Sequence, residues 1–266
     1  MLKRMDKLRQ SSLLGIVVLG IIIGSAQPVE AQWENIEGRF SLHANVAFQA
    51  GSHEFRQLFN KRIYGEDTNL SAEHKIRGGP ILDLGGSVNV WEDLAVGGAY
   101  TDLKKADITY IVGSVPHPIL FDSGRTLDVD GQTLPHRERA GHIYVSWRLP
   151  TDQWPIRQLQ EMDISVFGGP SYFSLTQGLV ADIGLVEATG PPFSEVSVAA
   201  VSIGEYSKSG WGGHVGADFT YMFTPTLGVG GVLRFSKGTV DIPSSDGIVS
   251  ISAGGFQSGA GIRLRF

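Results

Sequence analysis

The residues best able to do chemistry in this sequence are charged and titratable groups at alternate positions of short apolar segments. Alternate residues of a β-strand share one face, so these groups meet only if their segments are strands of one sheet. Brought together, acids, bases and a histidine could form buried ion pairs or line a path for ions. The set comprises Asp83, His142, Arg148, Asp218, Arg234, Arg263 and Arg265.

Two interpretations of this set remain open. We favour a structural ladder of ion pairs that fills the interior of a narrow barrel. Eight strands enclose little more than the space that side chains occupy, and a buried charge must be paired. The alternative is a narrow, gated pore lined by the same groups.

Other chemistries find less support. The seven histidines show no spacing that would hold a metal ion, and the chain has no cysteine. Asp128-Val129-Asp130-Gly131 faintly suggests a calcium loop but lacks the regular ligand run and closing glutamate. Asp130-Gly131 and Asp246-Gly247 better fit the tips of hairpins. The sequence therefore predicts no metal site and no cofactor.

A catalytic site is likewise not predicted. Ser174 and Ser258 fall on the face that we expect to point outward, but no histidine accompanies them there. The chain contains no Gly-x-Ser-x-Gly elbow. We therefore expect a non-enzymatic protein and keep a lipid-modifying enzyme as an alternative.

The elements that must position these groups are eight segments in which apolar and other residues alternate, the pattern of half-buried strands. Ten strand residues tilted by about 40° cover about 25 Å, the height of the apolar band of an outer-membrane barrel. The segments are 40–50, 82–90, 94–100, 142–149, 164–173, 214–223, 227–235 and 256–266.

The connections between these segments alternate in length. They are short at 91–94 and 224–226 and intermediate at 150–162, whereas 52–79, 103–137, 178–208 and 237–248 are long. Short turns at one end and long loops at the other are typical of outer-membrane barrels. Within the long loops, 108–112 and 196–203 are β-prone, so we expect strands three and six to continue there as hairpins.

The predicted fold is therefore an all-β, eight-stranded antiparallel up-and-down transmembrane barrel. A soluble lipocalin-type barrel has the same alternation with its apolar face inward. The membrane barrel is favoured by the unequal loops, by a second face that mixes glycine with polar residues, and by aromatic residues near strand ends. These aromatic residues are Phe40, Phe48, Trp147, Phe223 and Phe235.

Residues 1–31 form a predicted secretion signal, with a basic start, an apolar run and small residues before a cleavage point at Ala31 or Ala26. Residues 32–266 are then the barrel domain. They carry 18 Lys and Arg against 25 Asp and Glu, a net charge of −7. This balance argues against nucleic acid as a partner.

The last six residues, Gly261 to Phe266, resemble the terminal strand of bacterial outer-membrane proteins. The resemblance implies that the barrel-assembly machinery reads Ile262, Leu264 and Phe266. Residues 37–266 as a whole resemble an OmpA/OmpW-type outer-membrane barrel. Three short segments, 116–118, 167–171 and 228–231, also resemble a group of uncharacterised exported barrel proteins. The resemblance implies outer-membrane lipid as the surroundings and specifies no chemistry.

We therefore expect an integral outer-membrane barrel with a filled polar lumen, serving envelope structure or surface interaction. A narrow channel for small, apolar solutes is the first alternative. The apolar stretches 116–121 and 191–193 lie in long loops, where binding sites are often found. Alternatively, they pack on one another as a plug over the barrel mouth.

Overall fold

A computed structural model describes residues 39–151, 154–155, 157–187, 190–244 and 247–266. The predicted secretion signal and Asp246 lie outside these residues. Eight long antiparallel strands pair side by side and close into one barrel, which confirms the predicted fold. In the described part of the chain, none of the helices has the length and apolar character needed to cross a membrane.

The strands follow one another around the ring in chain order, and the first pairs with the last. Two short strands form a separate ribbon in the first connection, and one short helix precedes β7. The elements are β1 (Phe40–Phe59), β2 (Arg62–Ile63), β3 (Glu66–Asp67), β4 (Asn69–Asn89), β5 (Leu94–Pro116), β6 (Gly124–Arg148), α1 (Arg157–Gln160), β7 (Asp163–Glu187), β8 (Val196–Met222), β9 (Leu227–Ser244) and β10 (Gly247–Arg265).

The half of the barrel next to the short turns is a continuous ring, which we call the belt. Ser41 pairs with Arg265 and closes it, while the turns at 91–94 and 224–226 lie where the sequence predicts them. Apolar side chains point outward here and polar side chains point inward, as expected. The belt comprises residues 40–50, 80–89, 94–101, 140–148, 163–173, 211–222, 227–236 and 255–265.

The other half, which we call the tower, corrects the prediction of long loops. It comprises 52–59, 69–79, 102–116, 124–139, 174–187, 196–210, 237–244 and 247–254, all within strands. The predicted extensions at 108–112 and 196–203 are confirmed, but every other long strand continues too. The side-chain pattern is inverted in the tower, with Leu70 and Ile76 buried inside and charged pairs such as Lys75–Glu54 outside. Water outside the tower explains this inversion.

The ring does not stay closed along the tower. Pairing between β1 and β10 ends at Ala50–Phe256, between β6 and β7 at His136–Gln177, and between β8 and β9 at Gly212–Gly238. Beyond these seams the tower consists of a four-stranded sheet, β1-β4-β5-β6, and two hairpins, β7-β8 and β9-β10. Apolar side chains from all three parts hold it together.

The predicted hairpin tip at Asp130-Gly131 is wrong. These residues lie within β6, opposite a register shift between Thr109 and Ile111, and Gly131 has a φ of 79°. A glycine with positive φ is therefore used here for a β-bulge instead of a turn. The chain reverses between β5 and β6 at 117–123. Asp128, considered for calcium, is an exposed strand residue.

Candidate functional site: the barrel lumen

Two ion pairs lie in the lumen of the belt, one fully buried and the other partly exposed at its carboxylate. Arg234 Nη1 donates a hydrogen bond to Asp83 Oδ1 at 2.9 Å, and their side chains are only 3% and 1% exposed. Arg263 Nη2 donates to Asp218 Oδ2 at 2.6 Å. Asn45 joins the pairs, because its Nδ2 donates to Asp83 and its oxygen accepts from Arg263, both at 2.6 Å. The charges balance in one network spanning five neighbouring strands.

A second charged group lies nearer the mouth of the belt. Arg265 donates to Asp163, and Arg148 Nε is 4.0 Å from Oδ1 of the same carboxylate. These side chains are about one-third exposed and line a cavity of about 110 Å³ at the mouth. Arg148 and Arg265 are thus brought to the predicted lumen, but as a partly solvated rim around Asp163, which the sequence analysis did not single out.

A third group contains His142, which the sequence predicts, and three residues that it does not. Ser171 Oγ is 2.8 Å from Nδ1 of His142 and 2.9 Å from Nδ1 of His214, and is fully buried. Thr101 Oγ1 is 3.3 Å from His142 Nε2. A serine beside an imidazole has the parts of a nucleophile and its base, but this hydroxyl bridges two rings within a packed interior. The position of Ser171 on the polar face of a strand is the sequence feature that could have identified it.

Large side chains fill the space that glycines leave free on the inner wall. A Cβ added at Gly97 would lie 2.5 Å from the ring of Tyr144, and one added at Gly216 would lie 2.5 Å from Phe167. At Gly230 a Cβ would lie 2.8 Å from Nε of Arg263. These glycines therefore make room for the side chains that occupy the lumen.

An apolar layer closes the lumen between belt and tower. Phe173 is fully buried, and its ring lies over Gly212 and Gly238, where any Cβ would collide with it. Its ring also meets His142 edge-to-face, with centroids 6.2 Å apart. The other buried members of this layer are Ile76, Ala140, Leu175, Leu179, Val240, Ile242, Ile251 and Ala253.

A polar collar lines the same level. Gln257 Nε2 donates to Gln49 Oε1 at 2.8 Å, and the Gly254 N–H donates to Glu138 Oε1 at 3.0 Å. Gly254 has a φ of 91°, and a Cβ there would meet the carbonyl oxygen of Ser236. The glycine thus lets β10 turn its backbone toward Glu138 where it leaves β1.

The far end of the tower is closed by contacts between the two apolar loops. His117 Nε2 is 2.9 Å from the Pro192 carbonyl oxygen, and Arg125 donates to the Phe193 carbonyl and to the carboxylate of Glu187. The Arg125 guanidinium holds the pKa of Glu187 below its usual value. The two loops therefore pack on one another, while Ile119, Leu120 and Phe121 remain exposed.

The outer surface of the belt indicates which medium surrounds the barrel. Exposed apolar side chains cover it on every strand, and both edges carry aromatic rings, including Phe40, Trp147 and Phe223 at the short-turn edge. A closed barrel with charges inside and an apolar exterior suits hydrocarbon and is unfavourable in water. The fold is that of an outer-membrane β-barrel. The lipocalin-type orientation is thereby excluded.

The chain is similar, at low sequence identity, to several solved outer-membrane proteins. The outer membrane protein OprG from Pseudomonas aeruginosa is 9% identical, with 86% of this chain and 96% of that chain covered and a TM-score of 0.45. The outer membrane protease OmpT from Escherichia coli is 9% identical, with 85% of this chain and 97% of that chain covered and a TM-score of 0.44. Ail, the attachment invasion locus protein of Yersinia pestis, is 9% identical, with 85% of this chain and 99% of that chain covered and a TM-score of 0.35. No family model matches this chain, and no curated protein matches it.

The remaining candidate residues of this outer-membrane barrel lie on its outer face. Ile262 and Phe266 are exposed on β10 and at the chain end, with Leu264 half-buried between them. Their recognition by assembly machinery stays a prediction. Ser174 is half-buried and Ser258 is exposed. No hydrogen bond joins either serine to a histidine among the residues that the structure describes.

A pH dependence of stability is expected from His74 in the tower. Its ring stacks on Phe55 at 4.3 Å, its Nδ1 is 3.0 Å from Thr109 Oγ1, and burial lowers its pKa to about 4. The unfolded chain takes up this proton near pH 6.5, so the stabilisation is complete above pH 6.5 and is lost as the pH falls toward 4. The loss amounts to about 3 kcal/mol.

Urea unfolding of the wild type and His74→Leu at pH 7.5 and pH 4 measures this loss. The difference between the two proteins isolates His74 from the other histidines. Equal pH dependence in both proteins would show that His74 is protonated as easily in the folded state as in the unfolded chain.

Proposed function

We propose that this protein is a non-enzymatic integral outer-membrane barrel whose lumen conducts no solute. The tower then stands outside the membrane and serves envelope structure or surface interaction. The observation that carries the proposal is the double closure of the lumen. The network of Asp83, Arg234, Asp218, Arg263 and Asn45 crosses the belt at the inner end of the mouth cavity, and the layer around Phe173 fills the junction with the tower.

Both barriers are costly to open. An ion crossing the belt must separate charges that satisfy one another, and each buried charge left unpaired costs several kcal/mol. The same ion must then pass the level of Phe173, where apolar side chains occupy the centre and the Gln49, Gln257 and Glu138 side chains already bind one another or the backbone. A rigid tower of paired strands, with the apolar tip at 119–121, supports a role in contacts at the cell surface.

Planar-bilayer recording tests the closed lumen. The wild-type protein is expected to give no steady unitary current, because no continuous water path crosses the two layers. The same preparation unfolded by heat before reconstitution is the control for leakage caused by protein or detergent. Steady unitary currents that shrink with Arg234→Glu or Asp218→Lys would contradict the proposal.

A narrow channel for small apolar solutes is the second candidate. It is favoured by a cavity of about 180 Å³ in the tower, which the apolar side chains of Phe59, Leu70, Val180 and Ile183 border together with Asn60, Lys61 and Asp182. Uptake of an apolar solute into vesicles would support it, even where no ionic current is seen. A lipid-modifying enzyme would instead change the lipid profile of overexpressing cells, and Ser171→Ala, Ser174→Ala or Ser258→Ala would abolish that change.

A further inference from the structure

One part of the outer wall of the belt is concave. A groove of about 430 Å³ runs across β5, β6, β7 and β8 on the outward face. Apolar and aromatic side chains form its sides, and glycines form part of its floor. The residues used below are Gly98, Tyr100, Gly141, Ile143, Tyr172 and Trp211, all of which line the groove.

The groove interrupts the aromatic edge of the belt next to the tower. Tyr100, Gly141, Tyr172 and Trp211 are register partners from strand to strand, so they form one row across the wall. Tyr172 and Trp211 pack edge-to-face with centroids 5.0 Å apart. Gly141 is therefore a gap between two tyrosines in an otherwise aromatic row.

Packing does not require glycine at the floor of this groove. A Cβ at Gly141 would meet nothing within 4 Å, and one at Gly98 would meet only the carbonyl oxygen of His142, at 3.4 Å. The lumen glycines Gly97 and Gly216 differ, because large side chains lie directly over them. The open floor is thus a property of the outer surface, and packing leaves room for a side chain at position 141.

A cation stands directly above the gap. Arg139 lies two residues from Gly141 on the same exposed face of β6, and its register partners are Asp102 and Ser174. Arg137 holds both oxygens of Asp102, at 3.0 and 2.6 Å. In the described ranges, 39–151 among them, the Arg139 side chain makes no hydrogen bond. Its charge acts on the neighbouring Asp102 carboxylate, but Arg137 already binds both oxygens of that group, so the Arg139 guanidinium keeps its donors for a ligand at the edge of the groove.

We propose that this groove binds one anionic, phosphate-bearing lipid of the leaflet on the tower side. An acyl chain lies on Gly141 and Gly98 between Tyr100 and Tyr172, and the phosphate accepts hydrogen bonds from Arg139. A guanidinium above an apolar slot complements such a lipid, since it matches phosphate geometry and charge. The inference rests on the belt facing lipid and is independent of whether the lumen conducts.

Native mass spectrometry of the detergent-purified full chain with added phosphatidylglycerol tests the site. We expect a one-to-one adduct that survives delipidating detergent, and about tenfold less adduct in Gly141→Leu and in Arg139→Gln. Ala260→Leu, on the outer face of β10, and Lys237→Gln, an exposed cation on β9, are the matched controls and should retain the lipid. Heat-modified migration on gels checks that every variant is folded.

Three results would overturn the proposal. Equal adducts in all five proteins would mean non-specific annular lipid. Equal retention of phosphatidylcholine by the wild type would remove the role of the anionic head group. Loss of the adduct in Gly141→Leu but not in Arg139→Gln would also show that the anionic head group plays no part in binding. Currents in bilayer recordings would contradict the closed lumen and leave these adducts unchanged.

Discussion

An Arg234→Leu variant is expected to lose about 3–5 kcal/mol of unfolding free energy, because it leaves the Asp83 carboxylate buried without its cation. Asp83 then keeps only the Asn45 amide as a strong donor, while Gln257 loses the bond that its oxygen accepts from Arg234. Urea unfolding in lipid vesicles, followed by tryptophan fluorescence, measures the loss.

Two control variants test whether the loss of unfolding free energy comes from leaving a buried charge unpaired. The double variant Asp83→Leu/Arg234→Leu removes both charges and should recover most of the lost stability, since an apolar pair of similar volume often replaces a buried ion pair without cost. Arg56→Leu breaks an exposed ion pair with Glu73 and should cost no more than about 1 kcal/mol. A loss for Arg234→Leu as small as that for Arg56→Leu would show that the lumen is wet around Asp83.

A Phe173→Ala variant is expected to lose about 3–5 kcal/mol, because it empties the centre of the apolar layer where Gly212 and Gly238 offer no side chain to refill it. The same urea titration measures this change. Bilayer recordings of the variant then show whether the ion-pair network alone keeps the lumen closed.

Phe235→Ala is the matched control for this prediction. Phe235 is half exposed on the outer face of the belt, so surrounding lipid can replace the ring that is removed. The control should therefore lose clearly less stability than Phe173→Ala. Equal losses would mean that Phe173 does not form a packed layer across the barrel.

The belt could be predicted from the sequence, whereas of the tower only the strand extensions at 108–112 and 196–203 were predicted. Alternation with apolar residues on one face marks the strands of the belt, and the turns at 91–94 and 224–226 follow from it. In β4, Leu70 and Ile76 face inward whereas Leu82 and Leu84 face outward, because the strand shifts register between His74 and Ile81. The surroundings change from water to lipid at the same level. A search for one continuous apolar face ends at that change and assigns the rest to loops.

The charged residues of the lumen could be predicted from the sequence, but the ion pairs that they form could not. Asp83, Asp218, Arg234 and Arg263 stand out by charge on a polar face, and the structure brings all four together. The pairing depends on strand register and on Asn45, which links the two ion pairs. Asn45 is neutral, so its residue type does not indicate this role. Ser171 and His214 were missed for a similar reason, since their contacts with His142 depend on the register between β6, β7 and β8.

The seams of the tower have a consequence for the order of folding. Closure of the ring joins the two ends of the described chain, Phe40 with Phe266 and Ser41 with Arg265, whereas the β9-β10 hairpin joins residues as near as Ser244 and Gly247. Local contacts form faster than distant ones, because less chain entropy is lost. The hairpins can thus assemble early and independently, and the union of first and last strands is the late, committing event in making this protein.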